Sequence, residues 1–356
     1  MLDNLYLGDT FKEIDRLREF YIGTKFLEIT PKPFSVERIS ETGIKILNFE
    51  KGSKQTFSGT FFTPVGAGAL MRTLFYPFGI HIDEEIYFME LKGYGANGGN
   101  LTLTYHCDGD AAFGMFYKNA KKEYNILDKA SLNGINVPKP ILLGKFDRGV
   151  VIDSGLRNYA FLLTSNEQRA NENIIDKKHQ ELKKFYEKGL ESLESYLKEI
   201  LPKWWPIARD PIAILKQPYN LGIVVRGSKS PIRLGDPSTK YSSINKNIEI
   251  AKSCGNTFIQ LIELGYLHLT PSTGNWTLAG ELTDMCDCYD LKKDKNLCRI
   301  IENREKEIGK DFWKDLIGPR HTSNLYPFFI EGMFGEQISI EEAAKEIKNR
   351  VENKLV

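Results

Sequence analysis

The pattern of hydrophobic and polar residues predicts strands in the first half of the chain and helices in the second. Between residues 29 and 65, short alternating runs separated by turn-forming residues predict strands or extended peptide. The run 84–92 predicts another strand, which ends at a glycine-rich turn, and 101–106 predicts a short strand after it. The first half is therefore expected to form a sheet.

Helical periodicity is strongest in two places. Residues 118–132 predict a helix that Gly134 terminates, because glycine readily adopts the left-handed conformation that ends many helices. Residues 172–200 predict a single long helix, with an apolar seam and a solvated face of mixed charge. The other predicted elements are an amphipathic helix over 5–21, strands over 137–146, 148–153 and 222–226, helices over 244–264 and 340–355, and a mostly helical tail from residue 292.

This order of elements predicts an α+β fold with two lobes. We expect a β-rich N-lobe with one key helix over residues 1–160, and an α-rich C-lobe over residues 161–356. The chain has 356 residues, enough for one large or two ordinary domains with a proper core.

Composition narrows the classes of function. Hydrophobic residues make up 41%, charged residues make up 27%, and the net charge is +1, so no global field indicates nucleic acid or a membrane surface as a partner. No run approaches the roughly 20 apolar residues of a membrane-spanning helix, and the N-terminus lacks a signal-peptide core, so we expect a cytoplasmic protein. The 5 cysteines are expected to be reduced structural thiols. For Cys286 and Cys288, which lie one residue apart beside Asp284, the alternative is a metal or redox role.

The segment from His268 to Asp284 carries the clearest candidate chemistry. A histidine, then Asn275, then Asp284 across a short β pair is a layout typical of protein-kinase-like folds, in which the amide and the carboxylate bind Mg²⁺ on a nucleotide. The alternative is a helix end, a turn and a hairpin with incidental polar residues.

Four earlier residues could complete such a site. Lys92 ends an apolar strand beside glycines, and Glu123 lies in the helix that follows, where it could orient the lysine. Arg226 and Arg233 offer planar donors that match phosphate oxygens. Taken singly, each has a simpler interpretation as a solvent-facing side chain or a surface ion-pair residue.

Taken in order, these residues lie in segments that resemble the selenoprotein O family, kinase-like proteins that transfer AMP rather than phosphate. Five segments along the chain carry the resemblance: LKGYGAN at 91–97, DGDAAFGMFYKNAKKEYNIL at 108–127, NGINVPKPILLG at 133–144, IVVRGSKSPIRLG at 223–235, and GYLHLTPSTGNWTLAGELTD at 265–284. Five segments in one order are far more specific than any one of them.

The resemblance implies a bilobal kinase-like fold that binds ATP and Mg²⁺ and transfers AMP to a hydroxyl of a protein or peptide. It implies that His268 braces its loop by hydrogen bonds. The residues that it implies in nucleotide binding are Lys92, Gly93, Gly95, Asp108, Gly109, Arg226 and Arg233. Those that it implies in catalysis are Lys92, Glu123, Asn275 and Asp284, of which Asn275 and Asp284 would bind the metal.

The chain departs from the family pattern at the expected base. Gly274 stands where the family has an aspartate before the metal-binding asparagine, and Met285 and Cys286 replace the family's Tyr-Gly after Asp284. General-base catalysis typically contributes about 10² to 10⁴-fold, so two alternatives stay open: a kinase-like phosphotransferase, and a nucleotide-binding pseudokinase or interaction protein without turnover. The carboxylates that could replace the base are Asp108, Asp110, Asp287 and Asp290.

Overall fold

The computed structural model describes the chain in several ranges. They are 24–31, 35–40, 43–48, 56–57, 73–82, 85–92, 115–146, 172–200, 221–230, 233–234, 244–271, 273–309, 312–317 and 325–355, with single residues between 152 and 164. The predicted elements at 5–21 and 101–106 lie outside the described residues. So do four of the predicted nucleotide-binding residues and one candidate base, namely Gly93, Gly95, Asp108, Gly109 and Asp110.

Antiparallel strands form one sheet in the order β3-β2-β5-β6-β9-β8-β1-β4, and β7 also pairs with β9. The strands are β1 (Thr24–Pro31), β2 (Ser35–Ser40), β3 (Gly43–Asn48), β4 (Thr56–Phe57), β5 (Thr73–Ile82), β6 (Glu85–Lys92), β7 (Met115–Phe116), β8 (Lys139–Phe146) and β9 (Leu221–Ser228). A separate antiparallel pair joins β10 (Tyr266–His268) to β11 (Cys288–Asp290). The strands predicted within 29–65, 84–92, 137–146 and 222–226 are present.

Strands β6 and β9 lie side by side in the sheet and carry the candidate residues. Alternation along β6 puts Phe88, Glu90 and Lys92 on one face, and all three are buried. Glu90 pairs in register with Arg226 of β9. Strand β9 lies in the chain segment that the sequence analysis assigned to the C-lobe, but it pairs with β6 and β8 of the first half. The lobe boundary at residue 160 stays a prediction.

The described helices follow and surround the sheet. They are α1 (Tyr117–Leu132), α2 (Glu172–Glu187), α3 (Leu190–Ile200), α4 (Ile244–Glu263), α5 (Leu297–Ile308), α6 (Phe312–Ile317), α7 (Tyr326–Phe334) and α8 (Ile340–Leu355). Together with the antiparallel sheet they give the α+β fold predicted from the sequence. Among the described helices, none has the length and apolar character needed to cross a membrane.

Helix α1 forms as the sequence predicts, because Ala120, Leu127 and Ala130 recur at helical spacing and are fully buried. It ends before Gly134, whose φ of 72° is the left-handed conformation that glycine adopts at low cost. The same periodicity turns Glu123 toward the sheet, where it is fully buried. The helix therefore delivers a carboxylate to the interior.

The prediction of a single helix over 172–200 is wrong. The chain forms two helices, α2 and α3, which break at Gly189 with a φ of 123° that other residues rarely adopt. The break lets Phe185 of α2 stack on Tyr196 of α3, with ring centroids 4.0 Å apart. The predicted seam is buried at four positions: Ile175, Leu182, Leu193 and Leu197.

Two further expectations about the first half need correction. Ile152, inside the strand predicted over 148–153, is helical. Strand β5 forms over residues 73–82, to which the sequence pattern assigned no element, because its mix of aromatic residues with proline and glycine hides the period of two.

The hydrophobic core connects the sheet to the helices. One cluster of buried residues includes Leu143 and Val224 from the sheet, Leu127 from α1 and Phe258 from α4. Helices α4 and α7 approach closely, since a Cβ atom added at Gly255 would lie 1.9 Å from the carbonyl oxygen of Phe329. This continuous packing holds the second half of the chain against β9 and α1.

Candidate functional site

The structure brings Lys92 and Glu123 together. Lys92 ends β6, Glu123 lies on the buried face of α1, and the ammonium nitrogen is 3.1 Å from a carboxylate oxygen of Glu123. Only 7% of the lysine side chain and none of the glutamate side chain is exposed. Helix α1 thus holds the lysine as the sequence analysis expected of this pair.

Asp284 meets the same ammonium group. The carboxylate of Asp284 is in direct contact with Nζ of Lys92, and 31% of the Asp284 side chain remains exposed. Its backbone has φ 64° and ψ 50°, a left-handed conformation that costs energy for a residue other than glycine. Asp284 is therefore the solvent-facing edge of a cluster whose other members are buried.

The charges around Lys92 keep it protonated. Burial alone would lower the pKa of its ammonium group, but the negative charges of Asp284 and Glu123 outweigh burial and raise this pKa above its ordinary value. Lys92 is accordingly a fixed positive charge at neutral pH, suited to binding an anion and not to accepting a proton.

A small hairpin brings Asn275 next to Asp284. Trp276 and Leu282 form a bridge, and beyond it the backbone nitrogen and hydroxyl of Thr283 donate to the carbonyl oxygen of Asn275 at 2.8 and 3.0 Å. The amide nitrogen of Asn275 donates to the carbonyl oxygen of Thr270 at 2.7 Å. This bond orients the side chain so that its oxygen is the atom left to accept a ligand.

His268 braces the loop, as predicted. Its Nδ1 accepts a hydrogen bond from the backbone nitrogen of Thr270 at 3.2 Å, so its proton lies on Nε2, which faces the carbonyl oxygens of Thr283 and Asp284 at 3.3 and 3.1 Å. Burial lowers the pKa of His268, which favours this neutral form. The ring fixes the backbone that carries Asp284.

Arg226 and Arg233 both contact the carboxylate of Glu90. Arg226 binds it through two nitrogens at 2.9 and 2.5 Å and also contacts Glu123, while Arg233 binds it at 2.8 Å. Burial tends to raise the pKa of Glu90, but the two arginines lower it overall. Phosphate binding by these arginines stays a prediction, and it requires them to share or release Glu90.

Glu281 anchors the hairpin to the sheet. Its fully buried carboxylate accepts hydrogen bonds from the hydroxyl of Ser228 at 2.8 Å, the backbone nitrogen of Lys229 at 3.0 Å and the hydroxyl of Thr277 at 3.0 Å. Burial raises its pKa. The end of β9 and the hairpin that bears Asn275 and Asp284 are joined through this one side chain.

Cys286 adds a sulfur atom to the cluster. Its Sγ lies 2.7 Å from a carboxylate oxygen of Asp284 and 3.9 Å from Nζ of Lys92. Ligand atoms of Glu123, Asp284 and Cys286 all lie within 4.8 Å of one another. The cysteines of the described residues are free thiols, as expected: Cys254, Cys286, Cys288 and Cys298.

Two of the carboxylates considered as replacement bases are held by nearby groups. Asp287 accepts a hydrogen bond from the hydroxyl of Thr270 at 2.7 Å, and Asp290 accepts from the backbone nitrogens of Lys292 and Lys293 at 3.0 and 3.1 Å. Gly274 lies in the short turn Thr273–Asn275 and brings no carboxylate to it. The described part of the site therefore holds no evident general base at the expected position.

Sequence reasoning missed Glu90, Glu281 and the contact of Cys286 with Asp284. A signal for Glu90 was present, since it lies two residues before Lys92 and so on the same strand face, in an otherwise apolar run. Glu281 gave no such signal, because two of its partners, Ser228 and Lys229, lie far from it in the sequence. Cys286 was assessed only as part of a Cys-x-Cys pair.

The donor set can be compared with what Mg²⁺ requires. The amide oxygen of Asn275 and the carboxylate of Asp284 are the hard oxygen ligands that Mg²⁺ prefers, and these residues flank one hairpin. Both fit the ion, whereas the thiol of Cys286 does not belong to its usual ligands.

Comparison with known proteins gives no match to a protein family model, to a curated protein or to a solved structure. The kinship suggested by five ordered segments thus stays a prediction. The geometry of Lys92, Glu123, Asn275 and Asp284 is what indicates a functional site.

Proposed function

We propose that this protein binds ATP with Mg²⁺ and transfers AMP to a hydroxyl group of a protein or peptide. The observation that supports this most is the position of Lys92, held by Glu123 of α1 and in contact with Asp284. In kinase-like sites the glutamate holds the lysine so that its ammonium group can bind phosphate oxygens, and the aspartate binds the metal. A bilobal kinase-like fold is part of the proposal.

A purely structural role explains this cluster less well. Replacing buried ion pairs by apolar side chains is often neutral or stabilising, so stability alone does not require a lysine between two carboxylates. The exposed side of Asp284 gives a ligand access to the buried charges. Strongly perturbed ionisable groups that border an accessible position are typical of functional sites.

Each residue has a defined task in the proposed reaction. Lys92, which Glu123 orients in the free protein, exchanges its contact with Asp284 for a phosphate oxygen. Asn275 and Asp284 would hold Mg²⁺ through their side-chain oxygens, and the ion would supply positive charge for the leaving pyrophosphate. With such positioning and charge stabilisation, transfer can proceed without a strong base, although more slowly.

The choice of AMP over phosphate rests on the resemblance to the selenoprotein O family. A kinase-like phosphotransferase would use the same lysine, glutamate and metal ligands. Mass spectrometry of acceptor proteins after incubation with ATP separates the two, because an adenylyl group and a phosphate add different masses. Addition of phosphate alone would replace the first proposal by the second.

Nucleotide binding without turnover is a further candidate, and Gly274 favours it. The residue that would activate the acceptor is absent there, and Asp287 is engaged by Thr270. Such a protein would bind ATP and modify no acceptor. Its nucleotide affinity would still depend on Asp284.

Thermal unfolding with millimolar ATP and Mg²⁺ tests the binding step common to all three candidates. A bound ligand stabilises the folded protein, by about 2.7 kcal/mol at 100 times its Kd. We expect ATP with Mg²⁺ to raise the Tm of the wild-type protein and the effect to disappear in Asp284→Asn. Glu302→Gln, which neutralises an exposed carboxylate of α5, should respond as wild type. No shift in the wild-type protein would rule out the proposed nucleotide site.

A further inference from the structure

We infer that Cys286 and Asp284 together bind a thiophilic divalent cation of the zinc class, and that Cys286 sets the cation preference of the proposed site. The second half of this statement rests on the proposed function, since it concerns the ion that accompanies the nucleotide. The first half concerns the cation alone and can be tested without nucleotide.

The ligand geometry is the first argument. The sulfur of Cys286 and a carboxylate oxygen of Asp284 are 2.7 Å apart, in a thiol-to-carboxylate hydrogen bond, and Glu123 places a third ligand atom within 4.8 Å of both. Three protein ligands with an open fourth position are the usual arrangement of a zinc site that also accepts a substrate group. The partly exposed side of Asp284 supplies that open position.

A cation already occupies the centre of this group. The ammonium nitrogen of Lys92 contacts Asp284, lies 3.1 Å from Glu123 and lies 3.9 Å from the sulfur of Cys286. The arrangement therefore stabilises positive charge at this point. A divalent ion would take the place of the ammonium group, which would turn to the phosphates of a bound nucleotide.

Sulfur decides which ion is preferred. Thiolates select zinc-class ions, whereas Mg²⁺ takes oxygen ligands almost exclusively. On binding, the thiol of Cys286 loses its proton to solvent and the sulfur forms a bond to the metal, with no change of oxidation state. A serine here would keep the size of the side chain and remove this preference.

Cys286 differs from the other described cysteines near the core. Cys254 and Cys288 are fully buried in the hydrophobic cluster, where cysteine acts as a small apolar residue. Cys286 is only partly buried, and α1 holds its backbone through a hydrogen bond from the ammonium group of Lys122 to its carbonyl oxygen at 3.1 Å. Its sulfur is thus fixed at the carboxylate of Asp284.

Titration of the reduced full-length protein with Co²⁺ alone provides the test. Cobalt bound to a thiolate gives a charge-transfer absorption band that oxygen and nitrogen ligands do not produce. We expect the band in the wild-type protein, its loss in Cys286→Ser, and its retention in the control Cys298→Ser, which alters an exposed thiol. The absence of a band, or a band that persists in Cys286→Ser, would overturn the inference.

Lys92→Met gives a second, independent readout. Without the ammonium group, Co²⁺ no longer competes with a positive charge for the same carboxylates, so it should bind roughly tenfold more tightly or better. Unchanged or weaker binding in this variant would contradict the shared position of lysine and metal.

The Co²⁺ and ATP measurements can fail independently, so they distinguish the cation site from the proposed nucleotide site. If ATP with Mg²⁺ stabilises the protein but Co²⁺ gives no thiolate band, the nucleotide site stands and the inference fails. If the band appears and depends on Cys286 while ATP does not bind, the cation site stands and the proposed function fails.

Discussion

The carboxylate of Glu90 is surrounded by two guanidinium groups inside the protein. Arg226 holds it through two nitrogens and Arg233 through one, and all three side chains are buried. Removing one partner of a buried ion pair leaves an uncompensated charge, which costs more than the pair itself contributes. Glu90 is therefore the residue of this network whose neutral substitution should be most damaging.

Glu90→Gln should lower the free energy of unfolding by about 3–5 kcal/mol at neutral pH, the usual cost of breaking a buried pair. Urea denaturation followed by circular dichroism measures this change. Glu302→Gln on the surface of α5 serves as the control and should be nearly neutral. A loss below about 1 kcal/mol in Glu90→Gln would mean that the arginines do not depend on this carboxylate.

The pH dependence of stability follows from the same contact. The pKa of Glu90 is lower in the folded protein than its ordinary value of 4.5. The ionised carboxylate therefore stabilises the folded protein above pH 4.5, and this stabilisation is lost as the pH falls through the pKa that Glu90 has in the folded protein. We expect Glu90→Gln to lose less stability than wild type when the pH falls below 4.5. An equal acid loss in both proteins would contradict the lowered pKa.

The pairing of Lys92 with Glu123 was anticipated from the kinase-like order of a lysine at a strand end and a carboxylate in the helix that follows, although each residue alone favoured a surface position. The contact of Lys92 with Asp284 was not predicted, since the sequence analysis assigned the lysine to phosphate and the aspartate to the metal. The resemblance implied that the two arginines bind phosphate, which stays a prediction, while each residue taken singly favoured a surface ion pair. The structure shows that they pair with the buried Glu90, a partner on another strand that the sequence did not indicate.

At the scale of elements, helices α4 and α7 pack with their backbones in near contact. A Cβ at Gly255 would lie 1.9 Å from the carbonyl oxygen of Phe329, and a Cβ at Gly332 would lie 2.0 Å from that of Lys252. Neither obstacle is a flexible side chain, so the helices would have to separate. This crossing supports the core beneath the loop that carries His268.

Gly255→Ala should destabilise the protein by about 3 kcal/mol or more, at the upper end of what overpacking costs. The comparison variant is Gly335→Ala, where the added Cβ meets open space and only the φ of 78° causes strain, worth about 1–2 kcal/mol. Urea denaturation of both variants separates steric conflict from backbone strain. If Gly255→Ala were the milder change, the close approach of α4 and α7 would be refuted.

Elements with local signals were predictable and those with distant partners were not. The final helix and α1 follow from periodicity, and Gly134 ends α1 as expected. Gly189 interrupts 172–200 because the left-handed backbone lets α3 fold back on α2, a tertiary gain that periodicity does not reveal. The strand order could not be derived either, since β9 joins β6 and β8 across long stretches of chain.

At the scale of the whole molecule, Glu281 joins the sheet to the loops of the site. It receives hydrogen bonds from Ser228 and Lys229 at the end of β9 and from Thr277 in the hairpin. These bonds make the position of Asp284 dependent on the sheet that carries Lys92. The two sides of the cluster are therefore expected to loosen together.

Hydrogen exchange of Glu281→Gln tests this coupling. An amide can replace only part of the carboxylate's acceptor capacity, so exchange should accelerate both at 228–230 and at 277–284. Exchange in α8, which packs against α4, α6 and α7, should stay as in wild type. Acceleration confined to the hairpin would show that the sheet end does not depend on Glu281.

The polar cluster is electrically balanced within itself. Its members carry equal numbers of opposite charges when ionised: Lys92, Arg226 and Arg233 against Glu90, Glu123 and Asp284. A bare triphosphate arriving here would find no surplus of positive charge to draw it in from solution. Under the proposed function, ATP should consequently bind weakly without a divalent ion, and the rate of its entry should depend little on ionic strength.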